Sequence, residues 1–386
     1  MREKLGNRLC IISFIGMIMN GVYATATSLI VPLLHDAYGF DYNVSGLLLS
    51  SLNIGNMVAS FLAGMLAVSF GRKRTAMALT LGSFIGYSLL YGVKLIPLLL
   101  AGMFLIGISK GTVYNMGNIL VSENAPNETR GINTLHGCFA IGSLCCPIIL
   151  MLLGVKGSCI FMALFCLLLP VLYAISGMST DAGKRKKEII LNEKEVKRNE
   201  IPEFLKNPAF WLGTGIVFFE MSTENAVSGW LVAYLKDSGL MPQSMSQIML
   251  SFTWAVILAG RMFVAFGPWH PKPQHLILLM SIFSGISFVA LLGSRSTILI
   301  IIALGAYGFC MAGVQPTAIA LAGERLHHDP VAMSVLLPLG CLGGVVMPAV
   351  TGFVANAAGI YGGMAAIGVT VTCMILFAIM NYRYER

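Results

Sequence analysis

Three charged residues interrupt stretches of this sequence that are otherwise apolar. Lys110 lies within residues 95–122, and Glu220 and Glu224 lie within residues 208–235. A lysine in the middle of a membrane-spanning helix costs roughly 2.5–3.5 kcal/mol on insertion scales, so it should face protein or water and have a partner. We interpret Lys110 as a ligand or ion-pair residue of a polar cavity; a structural salt bridge is the alternative.

We expect the two glutamates to be the partners of Lys110. They are four residues apart, which places them on one face of a helix. Two neighbouring carboxylates in a low-dielectric cavity cannot both ionise without a large electrostatic cost. Such a pair can carry a proton, or it can bind Lys110 and a substrate hydroxyl.

Further polar and aromatic residues in apolar stretches could complete a site of aromatic faces and amide hydrogen bonds, as a sugar would require. Each aromatic residue taken alone also fits packing, and the histidine fits a proton relay and a helix contact equally well. The asparagine of the first helix is a strong candidate, because an amide in lipid would be left unpaired. These candidates are Asn20, Tyr23, Tyr114, Asn115, Asn118, His136, Trp230 and Gln315.

The elements that carry these residues are predicted to be transmembrane helices. Hydrophobic residues make up 56% of the 386 positions and charged residues 11%, with a mean hydropathy of +0.80. A soluble domain carries about 25% charged residues, and a membrane span takes about 20 apolar residues. Division at charged and turn-rich segments, including Gly359–Gly363, gives twelve spans. We therefore predict an all-α membrane protein with twelve transmembrane helices.

The basic residues are distributed unevenly between the two sides of the predicted membrane. Nineteen of the 25 Lys and Arg residues fall on the side of both termini, four fall on the other side and two lie in helices. This bias predicts cytoplasmic termini in a multi-pass protein of the cell membrane. Because topology accounts for the net charge of +8, no nucleic-acid partner is expected.

The sequence contains no pattern typical of a metal, cofactor or catalytic site. The nine cysteines lie in apolar runs without a CxxC or a metal-ligand spacing. A nucleotide-binding GxxxxGK[ST] and a nucleophile elbow are also absent. We therefore expect no cofactor and no enzyme activity, and a gradient rather than ATP as the energy source.

An internal repeat divides the chain. A shift of 201 residues aligns Asp36 with Asp237, Glu123 with Glu324, Gly142 with Gly343 and Pro147 with Pro348. We predict six-helix halves at 1–178 and 208–386, joined by a polar cytoplasmic linker at 179–207. Parallel halves place a site between them near the membrane midplane, an arrangement suited to alternating access.

The loop after the second helix, GMLAVSFGRKR at 64–74, resembles the signature G-x-L-a-D-r-x-G-r-k of the major facilitator superfamily. The resemblance implies that family's fold, and it assigns a role in conformational change to the matching residues Gly64, Gly71, Arg72 and Lys73. Val68 stands where the signature has its aspartate, so the latch of the outward-facing state must be weaker or built otherwise. Met103 occupies the place of the family's frequent basic residue.

Three segments look like the fifth, tenth and eleventh helices of fucose-permease-like sugar:proton symporters. They are LHGCFAIGSL at 135–144 followed by Pro147, GFCMAGVQPT at 308–317, and GGVVMP at 343–348. The likeness implies proton-coupled movement of a small polar solute. Acidic residues of the first and fourth helices couple protons in that group, but the fourth helix here carries Lys110, so that scheme is not carried over.

The leading hypothesis is a secondary active transporter that moves a small polar solute, such as a sugar or sugar derivative, with protons by alternating access as a monomer. Glu123 and Glu324 are expected to act as gating or structural ion-pair residues at inner helix ends. Arg261 is expected to pair with a carboxylate or with carbonyl groups. Efflux of drugs or metabolites and a transporter-fold sensor remain as alternatives.

Overall fold

The structure, a computed structural model, describes residues 2–126, 128–151, 153–178, 203–268, 271–326 and 330–384. All regular elements in these ranges are helical. They are α1 Arg2–Tyr38, α2 Tyr42–Phe70, α3 Arg72–Gly92, α4 Ile96–Asn124, α5 Glu128–Leu150, α6 Gly154–Cys166, α7 Leu168–Ala174, a short 3-10 turn at Glu203–Lys206, α8 Pro208–Asp237, α9 Gln243–Phe266, α10 Pro273–Gly293, α11 Thr297–Met311, α12 Val314–Arg325 and α13 Pro330–Tyr384. Most of the predicted linker, 179–202, lies outside the described residues.

These helices correspond to the twelve predicted spans. The pairs α6–α7 and α11–α12 each form one span, and α13 divides at Gly359, whose φ of 76° and ψ of 167° are not helical. A positive φ is readily adopted only by glycine, which explains why the long apolar run turns there. Within the described ranges, the predicted all-α architecture of twelve helices is confirmed.

Both interruptions inside a span stand four residues before a proline. Pro170 follows Cys166, the last residue of α6, and Pro316 follows Ala312, which caps the C-terminus of α11. A proline ring collides with the carbonyl group four residues earlier in a helix, and proline has no N–H to donate. Proline chemistry accounts for these two breaks, whereas Pro32, Pro147, Pro338 and Pro348 lie inside helices that continue through them.

Hydropathy supports a membrane location for these helices. Seven spans in the described part of the chain are long and apolar enough to cross a membrane by length and composition. α8 is not among them, and it is the helix that carries Glu220 and Glu224. A helix with two interior carboxylates is suited to face protein or water rather than lipid.

By internal contacts the chain forms two compact units. The first contains Met1–Ile30 and Ser51–Glu200, and the second contains Val31–Ser50 and Ile201–Arg386. The segment Val31–Ser50, which ends α1 and begins α2, thus belongs to the second unit. The division into halves at residues 178 and 208 stays a prediction.

One glycine contact recurs in both units. In the first, a methyl group on Gly142 of α5 would overlap the carbonyl oxygen of Ile18 on α1. In the second, a methyl group on Gly343 of α13 would overlap the carbonyl oxygen of Phe218 on α8. Glycine allows two helix backbones to approach closely. Gly142 and Gly343 are partners in the 201-residue repeat, so the repeat extends from sequence to packing.

Candidate functional site

Close packing of α4 against α2 fixes the position of Lys110. A methyl group on Gly107 would overlap the carbonyl oxygen of Leu52, and one on Gly111 would lie 2.5 Å from the carbonyl oxygen of Asn56. These glycines flank Lys110 and hold the two backbones together. Small residues around Lys110 therefore allow close backbone approach between α4 and α2.

A polar stripe runs along α4 from Lys110. Tyr114 and Asn118 follow at intervals of four residues, so all three lie on one face of the helix. Tyr114 is 40% exposed, Lys110, Asn115 and Asn118 are partly exposed, and the amide of Asn118 donates to the carbonyl oxygen of Tyr114 at 3.0 Å. Exposed amide and ammonium groups in the middle of a span require water rather than lipid.

Two neighbouring helices add polar groups to this stripe. Asn20 of α1 is fully buried and donates from Nδ2 to the carbonyl oxygen of Lys110 at 3.2 Å. Its Oδ1 is buried without a hydrogen-bond partner among the described residues. His136 of α5 lies beside Tyr114, with ring centroids 5.3 Å apart. The first unit therefore places six of the predicted site residues on or beside α4, namely Asn20, Lys110, Tyr114, Asn115, Asn118 and His136.

Tyr23 has a different environment. Its ring is fully buried, and its hydroxyl accepts a hydrogen bond from Ser109 at 3.3 Å. Its carbonyl oxygen accepts from the Tyr87 hydroxyl, and Ser109 also bonds to Ser83. This internal network supports a packing role for Tyr23 rather than contact with a solute.

The second unit places the two glutamates beside an arginine. Glu220 is fully buried on α8, and neither of its carboxylate oxygens accepts a hydrogen bond from the described residues, but the Glu224 carboxyl lies close enough to share a proton with it. Glu224, one turn further along, lies 3.9 Å from the Arg261 guanidinium through Oε2. Arg261 Nε is itself buried without a hydrogen-bond partner in the described structure. We call Glu220, Glu224 and Arg261 the carboxylate cluster.

The carboxylate cluster contains more acidic groups than basic groups. Two ionised carboxylates and one guanidinium would leave a net negative charge inside a helix bundle. Buried charges are tolerated when they are paired, and a buried polar atom without a partner costs about 1–3 kcal/mol. One proton on Glu220 would neutralise the cluster.

Tyr307 is a residue of this region that sequence reasoning missed. It lies on α11, is 2% exposed, and its hydroxyl has no hydrogen-bond partner among the described residues. Its phenol is close enough to Glu224 and Glu220 to interact electrostatically with their carboxyl groups. A tyrosine inside an apolar run gives no signal in the sequence that separates this environment from ordinary packing.

The remaining predicted residues of the second unit are less accessible. Trp230 is 2% exposed, and its indole Nε1 donates to the carbonyl oxygen of Pro348 at 3.1 Å. The indole N–H is the only polar group of this side chain, and it already donates a hydrogen bond within the protein. Gln315 is partly exposed in the first turn of α12, just beyond the break between α11 and α12.

The predicted gating loop forms an ion pair at the predicted inner end of α4. Arg72 donates two hydrogen bonds, both 2.6 Å long, to the two carboxylate oxygens of Glu123. Hydrogen bonding to Glu123 raises the pKa of the Arg72 guanidinium, and burial opposes this effect. Gly71 caps the N-terminus of α3 with a φ of 84°, a conformation that favours glycine. Gly64 lies within α2 and Lys73 in the first turn of α3.

The repeat does not reproduce this ion pair in the second unit. Glu324 is exposed in the last turn of α12. The residue that corresponds to Arg72 is Pro273, which cannot form the same contact. Arg325 donates instead to Asn381 Oδ1 at 2.5 Å. Glu123 and Glu324 are therefore equivalent in sequence but not in structure.

The predicted ion pairs are resolved only in part. Arg261 does meet a carboxylate, as expected, and this carboxylate is Glu224, which the sequence argument assigned to Lys110. The pairing of Lys110 with Glu220 or Glu224 stays a prediction. Nothing in the sequence spacing of Glu224 and Arg261, which lie on different helices, indicates their proximity.

Comparison with known proteins identifies the family. The family model of the Major Facilitator Superfamily matches residues 12–348. "Bypass of stop codon protein 6" of Saccharomyces cerevisiae is 21% identical over 319 residues, which are 72% of this chain and 62% of that protein. The glucose transporter GlcP of Staphylococcus epidermidis is 30% identical over 112 residues, which are 29% of this chain and 24% of that protein. The chain thus spans less than two thirds of either relative.

A crystal structure of the Escherichia coli fucose:proton symporter FucP shares the fold. The TM-score is 0.63 at 16% sequence identity, and the match covers 97% of this chain and 98% of FucP. The resemblance read from the loop signature is confirmed by the family match over most of the chain. The chain belongs to the major facilitator superfamily and is a multi-pass membrane transporter, not an enzyme.

Proposed function

We propose that this protein moves a small hydroxylated solute, such as a sugar, together with protons across the cell membrane by alternating access. Both termini face the cytoplasm, and transport is inward. The carboxylate cluster carries the proton, and the polar stripe of α4 contacts the solute. The names of GlcP and FucP, which transport glucose and fucose, support the choice of a sugar.

The observation that carries the proposal is the buried Glu220 carboxyl beside a pair that is already balanced. Glu224 and Arg261 neutralise one another at 3.9 Å. Glu220 accepts no hydrogen bond from the described residues, so it is stable there only when it holds a proton. When water reaches the cluster, the Glu220 carboxylate can be hydrated and the proton released. A change in water access is what alternating access supplies.

The polar stripe supports a hydroxylated solute over an apolar drug. Lys110 and the amides of Asn115 and Asn118 can donate hydrogen bonds to hydroxyl oxygens, and the amide oxygens can accept them. Tyr114 adds an exposed aromatic face beside His136. An apolar solute could not exchange hydrogen bonds with these groups and would therefore be disfavoured.

The test is uptake of a panel of labelled sugars into proteoliposomes that contain the purified full-length chain, with and without an alkaline interior. We expect uptake of at least one sugar to require the gradient. Glu220→Gln should lose gradient-driven uptake but keep counterflow exchange, which needs no net proton movement. Lys110→Ala should lose both activities, because it removes a solute contact.

The matched control is Glu203→Gln, which makes the same chemical change at an exposed glutamate of the 3-10 turn. It should leave both activities unchanged. If Lys110→Ala, Glu220→Gln and Glu224→Gln all retain pH-driven uptake, the proposed site is wrong. Accumulation only in everted vesicles with an acidic interior would favour the efflux alternative.

A further inference from the structure

A group of charges meets at the end of α8 that is predicted to face outward. The Lys236 ammonium contacts the Asp36 carboxylate and lies 3.1 Å from Asp237 Oδ1. The Tyr42 hydroxyl donates to Asp237 Oδ2 at 3.0 Å. Asp36 and Asp237 are partners in the 201-residue repeat. One cation is therefore shared by two carboxylates that the repeat relates.

Below these charges, the start of α2 packs against the first part of α13. A methyl group on Gly46 would lie 2.8 Å from the carbonyl oxygen of Pro348. The Ser50 hydroxyl donates to the carbonyl oxygen of Val345 at 2.6 Å. At both points a small residue meets a backbone carbonyl group.

Aromatic rings close the space between the charges and this helix contact. The His35 and Tyr42 rings stack with centroids 4.6 Å apart and planes 8° from parallel. Tyr42 meets Trp230 edge to face at 5.9 Å. A small cavity lies beneath the rings, and Ser45, which is 4% exposed, contributes to its wall.

We propose that Lys236, shared between Asp36 and Asp237, is an electrostatic latch that holds the predicted outer end closed. This inference rests on the proposed function, because only a transporter that opens outward needs the segment Val31–Ser50 to leave α8 and α13. The latch lies at the rim, where the Asp36 side chain is 44% exposed. Water can therefore hydrate the separated charges, and the pairs can form again on closure.

The cation of the latch remains charged at neutral pH. Burial lowers the pKa of Lys236, but hydrogen bonds to Asp36 and Asp237 outweigh this effect and raise the pKa overall. The latch is thus held by opposite charges under physiological conditions.

The test measures access from outside to a thiol placed beneath the latch. Ser45→Cys is labelled in intact cells with a membrane-impermeant maleimide, and peptide mass spectrometry distinguishes its thiol from the nine native cysteines. Adding Lys236→Met or Asp36→Asn should raise the labelling rate about threefold or more, because loss of an ion pair shifts the protein toward the open state. Arg295→Ala, which removes an exposed cation of another predicted outer loop, should leave the rate unchanged.

A charge exchange completes the test. Asp36→Lys combined with Lys236→Asp places one cation between two carboxylates again and should return the labelling rate toward that of Ser45→Cys alone. Unchanged labelling in both Lys236→Met and Asp36→Asn would overturn the latch. So would an equal rise in Arg295→Ala, or a charge exchange that fails to lower the rate while thermal stability is normal.

The labelling experiment needs neither a known solute nor a measurement of uptake. Increased labelling without any sugar uptake would leave the latch standing and refute the proposed function. Gradient-driven uptake with unchanged labelling would refute the latch and leave the proposed function standing.

Discussion

Replacing Glu220 by methionine should stabilise this protein while abolishing its coupled transport. Glu220 is fully buried, and its two carboxyl oxygens accept no hydrogen bond from the described residues. Methionine has a similar length and no charge, and it leaves Glu224 and Arg261 as a balanced pair. A residue that lowers stability is expected where function requires it.

The magnitude follows from the unpaired atoms. A buried polar group without a partner costs about 1–3 kcal/mol, and imperfect packing of the new side chain costs less than about 1.5 kcal/mol. The net gain should be centred on about 1 kcal/mol. Since 1 kcal/mol shifts the melting temperature of chains of 150–250 residues by about 2–4 °C, Glu220→Met should raise it by a few degrees.

The assay is thermal unfolding of purified protein in detergent, followed by intrinsic fluorescence. Thr223→Val on the same helix is the matched control. The Thr223 hydroxyl lies 2.9 Å from Thr370 Oγ1 and donates to the carbonyl oxygen of Phe219 at 2.8 Å. Removing a satisfied buried hydroxyl should destabilise by about 1 kcal/mol, so the two variants should shift the melting temperature in opposite directions.

A lower melting temperature in Glu220→Met would refute this reasoning. It would be expected if Glu220 were the ion-pair partner of Lys110, because removing one member of a buried pair costs about 3–5 kcal/mol. In that case the double variant with Lys110→Met should recover much of the loss. The experiment thus separates a proton-carrying carboxyl from the ion pair predicted from the sequence.

Three further predictions concern packing and the inner ion pair. Gly343→Leu should prevent accumulation of folded protein in a fluorescence-detected size-exclusion assay, because even a methyl group there collides with a backbone oxygen. Trp230→Phe should lower the melting temperature by an amount equivalent to about 1–2 kcal/mol, since the Pro348 carbonyl oxygen loses its buried donor. Arg72→Gln should slow solute exchange in proteoliposomes with little change in solute binding, because the Arg72–Glu123 pair lies at the predicted inner end of α4 and away from the polar stripe. Swapping the two charges, with Arg72→Glu and Glu123→Arg, should restore part of the rate.

The arrangement of helices could be predicted from the sequence because its determinants are local. Charge-free runs of sufficient length define the spans, and the turn at Gly359 and the breaks before Pro170 and Pro316 follow from backbone chemistry. The glycines of the family-like segments contributed to the resemblance, and their structural role is close helix packing. Gly343 against α8 is the clearest case.

The partners of the charged residues could not be predicted, because they depend on helix packing. Glu224 lies on α8 and Arg261 on the next helix, α9, and no rule of sequence spacing predicts that their side chains meet. The same is true of Asp36 and Lys236, 200 residues apart. The repeat did align Asp36 with Asp237, and this alignment was the one signal in the sequence that pointed to the latch.

The repeat also explains where chemistry can reside in this chain. Duplication supplies two similar helical scaffolds, and identical residues at equivalent positions mostly pack helices, as Gly142 and Gly343 do. The charged residues of the polar stripe and of the carboxylate cluster stand where the repeat is broken, whereas Asp36–Asp237 and Glu123–Glu324 are pairs that it keeps. Lys110 corresponds to Met311, and Glu220 corresponds to Met19.

The other two residues of the carboxylate cluster follow the same pattern. Glu224 corresponds to Tyr23, which is a packing residue of the first unit, and Arg261 corresponds to Ser60. A cation on α4 and a proton-carrying carboxylate on α8 can then perform different tasks, which two identical halves could not. In the proposed mechanism, transport depends on the differences between the two repeats, and positions that the repeat keeps, such as Gly142 and Gly343, maintain the scaffold.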